Sequence, residues 1–139
     1  MYKLKAIAND IFYVGVNDRQ KALFENMWPL PYGISYNSYL IVGEKSVLVD
    51  TVDVCFSDIF LRKIQDKLQE RPLDYLIVNH MEPDHAGSIR LLRQLYPQVQ
   101  IIGNKRTFDM LDGFYGIKTG LVEVKDGDML EIGQHKLHF

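Results

Sequence analysis

Short alternating runs of hydrophobic and polar residues dominate the first third of the chain and predict β-strands. Ile11–Val16 is the first such run, and Ser35–Val42 and Ser46–Val52 form a predicted hairpin about the turn GEK. Between these runs, residues 17–33 contain the stretch WPLPYG and show no clear period, so we expect a loop there. The pattern therefore indicates a β-rich N-terminal region.

A change of period marks the first predicted helix. A helix over residues 57–70 is predicted from its first serine, a suitable N-cap, and from Phe60, Ile64 and Leu68, which recur every four positions. Pro72 follows and ends the helix, because proline lacks the backbone donor that a helix interior requires. This single apolar stripe predicts a helix with one buried face.

The next apolar run, Leu73–Asn79, is nearly continuous, which is typical of a strand buried on both faces. After it, helices and strands are predicted to alternate, and a hairpin about Gly133 follows. These segments are a helix over Ala86–Tyr96, a strand over Val99–Ile102, a helix over Lys105–Leu111, a strand over Leu121–Val124, and hairpin strands over Met129–Ile132 and Gln134–Phe139. Two hairpins outside a βαβα centre predict an α/β (α+β) fold, with a mixed sheet and helices on one face.

Composition and charge narrow the classes of function. The chain has 139 residues and is 47% hydrophobic, which suits one globular domain with a moderate core. Its net charge of −2, without any basic block, argues against nucleic acid or an anionic membrane as a partner. Apolar runs are far shorter than the about 20 residues that span a bilayer, and the N-terminus has no secretory signal, so a cytoplasmic location is expected.

Two single residues, Cys55 and Trp28, are expected to have packing roles rather than functional ones. The single cysteine, Cys55, excludes a disulfide framework within the chain and a thiolate metal site, and we expect it to be a small packing residue. Trp28 is expected to pack on the core, with a place at a site entrance or a subunit surface as the alternative.

Four potential metal ligands lie within six residues of the sequence NHMEPDHAG. His80, Glu82, Asp84 and His85 directly follow the predicted buried strand, at the end of the sheet where α/β proteins place their sites. Pro83 cannot continue the strand ladder, so we expect the segment to curl over the end of the strand and bring these side chains together. Imidazole suits zinc, iron and nickel, and carboxylates favour iron or manganese, so this set predicts one half of a non-haem iron pair.

A metal-free interpretation of the same residues also exists. H-x-E-x-D-H can form a solvated polar loop in which Asp84 merely caps the following helix. The two remaining histidines, His135 and His138, lie on opposite faces of the predicted last strand, and we expect surface or edge roles for both. They are therefore not expected to complete the ligand set.

The sequence NHMEPDHAGS resembles the metal motif of the metallo-β-lactamase-like fold, in the version found in flavodiiron proteins, also called A-type flavoproteins. Most zinc hydrolases of that fold carry H-x-H-x-D-H, and a carboxylate in place of the second histidine, here Glu82, is the mark of the diiron branch. SYNSYLI (35–41), VLVDTV (47–52) and DYLIVNH (74–80) resemble the family too, in the same order and at similar spacing. The resemblance covers essentially the whole chain and implies the first half of a metallo-β-lactamase-like αββα domain over residues 1–139.

The resemblance also implies roles for the candidate ligands. His80 and Glu82 would ligate one iron, and Asp84 would ligate the other. His85 would ligate the second iron or lie beside it, because family members differ at this position.

Two further residues are expected to support this loop. Asp50, at the end of VLVD, resembles a family position near the metal loop. We expect it either to accept hydrogen bonds from residues 80–85 or to be a plain turn residue. Asn79 is expected to brace the same loop through its amide.

Activity, cofactors and partners follow from the same resemblance. Flavodiiron proteins reduce O2 to water, NO to N2O, or both, with electrons from an FMN on a flavodoxin-like domain C-terminal to this region. That domain is absent from this chain, and an electron donor such as rubredoxin or a flavin reductase is implied. A homodimer or another homo-oligomer is expected, and a head-to-tail homodimer would bring each FMN close to the partner subunit's iron pair.

The chain is expected to hold only part of this machinery. Further ligands of the family would lie beyond Phe139, and the last predicted strand ends without a turn or cap, so we interpret the chain as a fragment. Four ligands do not fill two iron sites that need about five or six each, so we expect weak metal binding or none, and no turnover, by this chain alone. The alternatives are a zinc-dependent hydrolase of the same fold, which metal content would distinguish, and a non-catalytic truncated module.

Overall fold

The computed structural model describes residues 2–139, in which short strands precede a region of alternating helices and strands. The strands are β1 (Lys5–Ala6), β2 (Ile11–Tyr13), β3 (Val16–Asp18), β4 (Leu23–Phe24), β5 (Trp28–Pro29), β6 (Ile34–Tyr36), β7 (Tyr39–Val42), β8 (Ser46–Val49), β9 (Tyr75–Ile77), β10 (Gln100–Gly103), β11 (Leu121–Glu123), β12 (Met129–Ile132) and β13 (His135–His138). The helices are α1 (Ser57–Leu68), α2 (Pro83–Ala86), α3 (Ile89–Leu95) and α4 (Lys105–Tyr115). None of these helices has the length and apolar character needed to cross a membrane.

One mixed sheet carries the fold, in the strand order β1-β2-β7-β8-β9-β10-β11. The strands from β1 to β8 pair antiparallel, and those from β8 to β11 pair parallel. Leu48, Leu76 and Ile101 stand side by side in the parallel half and are fully buried, as expected for strands covered on both faces. The predicted α/β class with a mixed sheet is confirmed.

The helices pack on one face of this sheet, as predicted. Phe60, Ile64 and Leu68, the apolar stripe of α1, are at most 1% exposed. They share one core with Ile89 of α3 and Leu111 of α4. Burial of each such side chain contributes about 1.5–3 kcal/mol, so the stripe provides much of the energy that holds α1 on the sheet.

The hairpin of β12 and β13 covers the opposite face. Its apolar residues pack against the sheet in a second, smaller cluster, which includes Ile41, Val47, Ile77, Ile102, Leu130, Ile132 and Leu137. At one edge, His135 Nε2 lies 2.5 Å from Asp10 Oδ2, and Gln134 Nε2 donates to the same oxygen at 2.8 Å. These hydrogen bonds, that of His135 first, hold the pKa of Asp10 below its ordinary value.

Two predicted strands, Ile11–Val16 and Ser35–Val42, are each divided in the structure. β2 and β7 belong to the large sheet, whereas β3 and β6 pair with each other in a separate ladder. Gly15 lies at the break, where a Cβ atom would come within 2.3 Å of the carbonyl oxygen of Tyr36. The backbone N–H groups of Gly15 and of the preceding residue both donate to Ser38 O, as in a β-bulge. The chain therefore changes sheets at a close approach that strand alternation does not reveal.

The predicted loop over residues 17–33 contains further structure. β4 and β5 form a small hairpin, and its tip residues Glu25 and Asn26 have positive φ angles of 50° and 56°. Trp28 in this hairpin is 63% exposed, so the core packing expected for it is wrong. Cys55 is exposed too, which corrects the packing role expected for that residue.

The predicted helix Ala86–Tyr96 is two helices, α2 and α3. The first begins earlier, because Pro83 is well suited to the first position of a helix. The two are separated at Gly87 and Ser88, where the Ser88 N–H donates to Val52 O at 3.1 Å instead of continuing α2. A tertiary hydrogen bond therefore ends a helix that the sequence pattern would extend.

The last helix, α4, runs further than predicted. It passes Gly113, continues to Tyr115 and stops at Gly116, whose φ of 65° is the left-handed conformation that ends many helices. Its start is capped by Asn104, whose side-chain oxygen accepts a hydrogen bond from the Thr107 N–H at 2.9 Å. The extension adds one turn, and Tyr115 lies on it.

Candidate metal site

The candidate ligands follow the carboxyl end of β9, in a segment of residues 79–86 that we refer to as the metal loop. The chain leaves the sheet after Ile77, and Glu82 is still extended, with φ −70° and ψ 152°, before Pro83 opens α2. Proline fixes φ near the helical value and has no N–H, so it favours a helix start at this position. The loop thus joins an extended segment to a single helical turn.

Three side chains of the metal loop converge. His80, Glu82 and Asp84 each offer one ligand atom, and these atoms lie within 4.8 Å of one another. His80 Nε2 is 3.4 Å from Glu82 Oε2 and 3.9 Å from Asp84 Oδ1. His80 and Glu82 are exposed, whereas only 13% of the Asp84 side chain is exposed. The group is therefore open to solvent on one side and enclosed on the other.

His85 lies next to this group without being part of it. Its Nε2 is 3.6 Å from Asp84 Oδ2, and the rings of His80 and His85 meet edge-on at 5.7 Å between centroids. His85 Nδ1 is buried and has no hydrogen-bond partner within residues 2–139. The carboxylate of Asp84 therefore has one oxygen toward each histidine.

The donor atoms fit a metal ion. Asp84 Oδ1 and His85 Nδ1 are both buried without a hydrogen-bond partner in the described part of the chain. An unsatisfied buried polar atom costs about 1–3 kcal/mol, and an ion held by His80, Glu82 and Asp84 would satisfy Asp84 Oδ1, which faces that group. Two imidazoles and two carboxylates without a thiolate suit iron, manganese or zinc.

The two remaining histidines lie on the terminal hairpin. His135 pairs with Asp10, and His138 is exposed. Within residues 2–139, the loop group of His80, Glu82 and Asp84 is the one cluster of three or more potential ligands, so neither histidine joins a second cluster. This placement agrees with the edge and surface roles expected for them.

Asp50 supports the first part of the metal loop. One carboxylate oxygen accepts hydrogen bonds from the Asn79 N–H at 2.7 Å and the His80 N–H at 3.3 Å, and the other accepts from Asn79 Nδ2 at 3.1 Å. Asp50 has a φ of 54°, which is uncommon for a residue other than glycine. Ser38 Oγ donates to its carbonyl oxygen at 2.8 Å and helps to hold that conformation. The hydrogen bonds expected of Asp50 and Asn79 are therefore present.

A cavity of about 280 Å³ opens beside the ligand group. The metal loop forms one wall and the hairpin β4–β5 forms the other, and the charged lining residues are Lys21, Glu25, Asp53, Glu82 and Asp84. Lys21 is the one cation among the described residues that line this cavity. Sequence reasoning missed Lys21, Glu25 and Asp53, although the positive φ at Glu25 marks an unusual turn once the backbone is known.

Lys21 belongs to a polar network at the cavity wall. Its Nζ donates to Asp53 Oδ2 at 3.0 Å and to Tyr36 Oη at 3.4 Å, and Tyr36 Oη donates to Asp18 Oδ2 at 3.1 Å. The bond to Asp53 raises the pKa of Lys21. Burial opposes ionisation of Asp53, but hydrogen bonds from the Cys55 N–H and from Lys21 outweigh it and lower the pKa of Asp53. Burial raises the pKa of Tyr36 to about 12, so the tyrosine stays neutral.

The chain is similar in sequence and structure to several known proteins. The profile of the ODP family beta lactamases matches residues 34–139. The flavo-diiron protein FprA2 of Clostridium acetobutylicum is 39% identical over 94% of this chain and 33% of its own length. The nitric oxide reductase of Moorella thermoacetica is 35% identical over 96% of this chain and 34% of its own length. The structure of rubredoxin oxygen:oxidoreductase from Desulfovibrio gigas matches with a TM-score of 0.89 at 27% identity, over 96% of this chain and 34% of that one.

These matches run along nearly all of the chain, which spans about a third of the length of the relatives. The predicted resemblance to flavodiiron proteins and the predicted fold are both confirmed. The roles of the individual ligands stay predictions, because the matches concern whole segments rather than single side chains.

Proposed function

The chain belongs to the ODP family beta lactamases, and on that premise we propose that it contributes a metal-binding segment to a non-haem diiron oxidoreductase of the flavodiiron type. The observation that carries the proposal is the convergence of His80, Glu82 and Asp84 around a buried, unpaired oxygen of Asp84. His80 and Glu82 would hold one iron and Asp84 the other, with His85 bound to the second iron or beside it. Residues 1–139 would form part of the metallo-β-lactamase-like domain.

The proposed reaction is the reduction of O2 to water, of NO to N2O, or both. The names of two relatives support these substrates, since one is a nitric oxide reductase and the other a rubredoxin oxygen:oxidoreductase. When bound, an iron pair supplies electrons and open coordination positions for such small molecules. The cavity of about 280 Å³ beside Glu82 and Asp84 has room for diatomic substrates.

The residues of this chain would contribute orientation and charge. Asp50 fixes the start of the metal loop, because it accepts hydrogen bonds from Asn79 and from the backbone of His80. Glu82 contributes a hard carboxylate ligand to the exposed side of the group. Lys21 Nζ holds a proton at the cavity wall, next to Asp53.

We further propose that electrons reach the site from an FMN on a flavodoxin-like domain of the full-length protein. The names flavo-diiron protein and rubredoxin oxygen:oxidoreductase support a flavin and a donor such as rubredoxin, with a flavin reductase as the alternative donor. A head-to-tail homodimer in the cytoplasm would complete this arrangement.

The isolated chain is proposed to bind iron weakly and to lack turnover. The metal loop offers four ligands at most, and two iron sites need about five or six each. Sustained consumption of O2 or NO by the purified chain with a chemically reduced flavin would contradict this part of the proposal.

Anaerobic titration of the purified chain with Fe²⁺ tests the metal assignment. We expect weak binding that His80→Asn and Asp84→Asn each reduce by about tenfold or more. His138→Asn is the matched control and should leave the affinity unchanged, because His138 is exposed and outside the ligand group. Equal binding by His80→Asn and His138→Asn, or no binding by any form, would refute the assignment. Retention of zinc in preference to iron, with hydrolytic activity, would favour a zinc-dependent hydrolase instead.

A further inference from the structure

The helix that carries Asp84 and His85 is only four residues long. The residue that follows α2, Gly87, donates its backbone N–H to Pro83 O at 3.0 Å. A helix leaves its last four carbonyl groups without partners inside the helix, so a helix of one turn cannot satisfy most of its own acceptors. The carbonyl oxygens of His85 and Ala86 therefore need donors from elsewhere.

Two residues from different parts of the chain supply those donors. Thr51, just after β8, donates to His85 O from both its backbone N–H at 3.0 Å and its Oγ1 at 2.7 Å. Tyr115, on the last turn of α4, donates from Oη to Ala86 O at 3.0 Å. Thr51 is fully buried and Tyr115 packs against the main core, so both hydroxyls approach from fixed positions.

We propose that Thr51 and Tyr115 are positioning residues that cap α2 from outside and hold Asp84 and His85 in place. Asp50 holds the start of the metal loop, and this pair holds its end, so the candidate ligands lie between two fixed points. The functional part of this inference rests on the proposed metal site.

The end of α4 shows how the second contact arises. The helix continues through Gly113, where helix propensity is poor, and ends at Gly116 directly after Tyr115. This extra turn is what carries the phenol to Ala86 O. We therefore regard the length of α4 as part of the support of the metal loop.

Hydrogen exchange of the metal-free chain tests the positioning role directly. In Thr51→Val and Tyr115→Phe, the amides of His85, Ala86 and Gly87 should exchange about five- to tenfold faster, because a hydrogen bond that restrains α2 is lost. Amides of β9 and β10 should be unchanged. Thr51→Ser keeps the hydroxyl and should restore slow exchange.

Tyr96→Phe is the matched control for Tyr115→Phe. Both tyrosines are partly buried and pack on the same core, and burial raises the pKa of both. No hydrogen bond links the Tyr96 hydroxyl to the metal loop within residues 2–139, so its loss should not alter exchange there. Unchanged loop exchange in both Thr51→Val and Tyr115→Phe, or equal acceleration in Tyr96→Phe, would overturn the inference.

Titration with Co²⁺ separates this inference from the proposed function. We expect Thr51→Val and Tyr115→Phe to weaken Co²⁺ binding about tenfold and to shift its visible absorption bands, whereas Thr51→Ser and Tyr96→Phe resemble the unmodified chain. Faster loop exchange together with unchanged Co²⁺ affinity and spectrum would refute the role toward the metal. Co²⁺ binding that is indifferent to Asp84→Asn would instead refute the proposed site, and the exchange result would still decide whether the two hydroxyls hold α2.

Discussion

Two walls enclose the cavity beside the candidate ligands, and they are held in different ways. The metal loop donates hydrogen bonds to Asp50 and accepts hydrogen bonds from Thr51 and Tyr115, at donor–acceptor distances of 2.7–3.3 Å. The facing hairpin consists of the two-residue strands β4 and β5. Lys21, which lies just before this hairpin, donates a hydrogen bond to Asp53. Met27 and Trp28 of the hairpin are 66% and 63% exposed.

The firmly held metal loop and the loosely held hairpin suit two different tasks: one wall keeps its side chains in place, and the other can move. The candidate ligands need a fixed arrangement to bind an ion, and the hydrogen bonds that hold the metal loop provide it. A wall with few buried contacts opens at lower free energy, so the hairpin is the part of the cavity that can adjust. Four substitutions, given from the largest expected effect to the smallest, test this contrast.

Asp50→Ala should have the largest effect. It removes the acceptor of three hydrogen bonds from Asn79 and His80 and places alanine at a φ of 54°. We expect a loss of about 2–4 kcal/mol in the free energy of unfolding, measured by urea denaturation. Asp58→Ala, in an exposed ion pair with Arg62, is the control and should change stability by less than about 0.5 kcal/mol. Similar results for both variants would show that the metal loop is not held through Asp50.

Gly87→Ala should destabilise the chain through a steric clash. A Cβ atom there would lie 2.6 Å from the Val54 backbone nitrogen, which is closer than packed atoms come. We expect a loss of about 1–3 kcal/mol in thermal or urea unfolding. Gly113→Ala is the matched control, because a Cβ atom there meets nothing within 4 Å and α4 should gain about 0.5–1 kcal/mol. Opposite signs for the two variants are the expected result, and equal signs would contradict it.

Lys21→Met should loosen the hairpin more than the whole fold. It breaks the ion pair with Asp53, whose partners are 33% and 13% exposed, so we expect about 1 kcal/mol or less in global stability. Chymotrypsin should cut after Phe24 severalfold faster, because the hairpin then opens more often. Lys136→Met breaks an exposed pair with Glu131 and should leave cleavage unchanged.

The same ion pair predicts a pH dependence of that cleavage. The pKa of Asp53 is lowered from 3.8, so its contribution is complete above that value and is lost as the pH falls through the lower, folded-state pKa. The pKa of Lys21 is raised from 10.5, so its contribution is complete below that value and is lost as the pH rises above it. Hairpin protection, corrected for protease activity, should be constant between about pH 5 and 9. A change within that window would point to another titrating group.

Trp28→Ala should have the smallest effect. Its ring is 63% exposed, so truncation removes little buried surface and should change the free energy of unfolding by less than about 0.5 kcal/mol. Phe60→Ala, at a fully buried position of α1, should cost about 3–5 kcal/mol in the same urea experiment. A large loss for Trp28→Ala would show that the hairpin is packed more firmly than its exposure indicates.

Local patterns were sufficient for the features that depend on neighbouring residues. The stripe of Phe60, Ile64 and Leu68 has a helical period, and the ligand cluster is contiguous in sequence, so both could be predicted. Asp50 was predicted as well, but only through the family resemblance.

Features set by distant contacts were missed. The division of the strand at Gly15 depends on the carbonyl of Tyr36, and the separation of α2 from α3 depends on Val52 O. Thr51 and Tyr115 lie in segments without a functional motif, and only folding of the chain brings them to the metal loop. Period and propensity contain no information about such pairs, since the partners are far apart along the chain.

The contact of Asp10 with His135 also bears on the order of folding. It joins residues 125 apart, so closing that loop removes more chain entropy than forming a local hairpin does. Contacts between residues so far apart in the sequence are expected to form late in folding, after the central parallel strands and their connecting helices have assembled. A contact formed late governs mainly how fast the native state is lost. The Asp10–His135 contact should therefore slow unfolding and leave the rate of folding nearly unchanged.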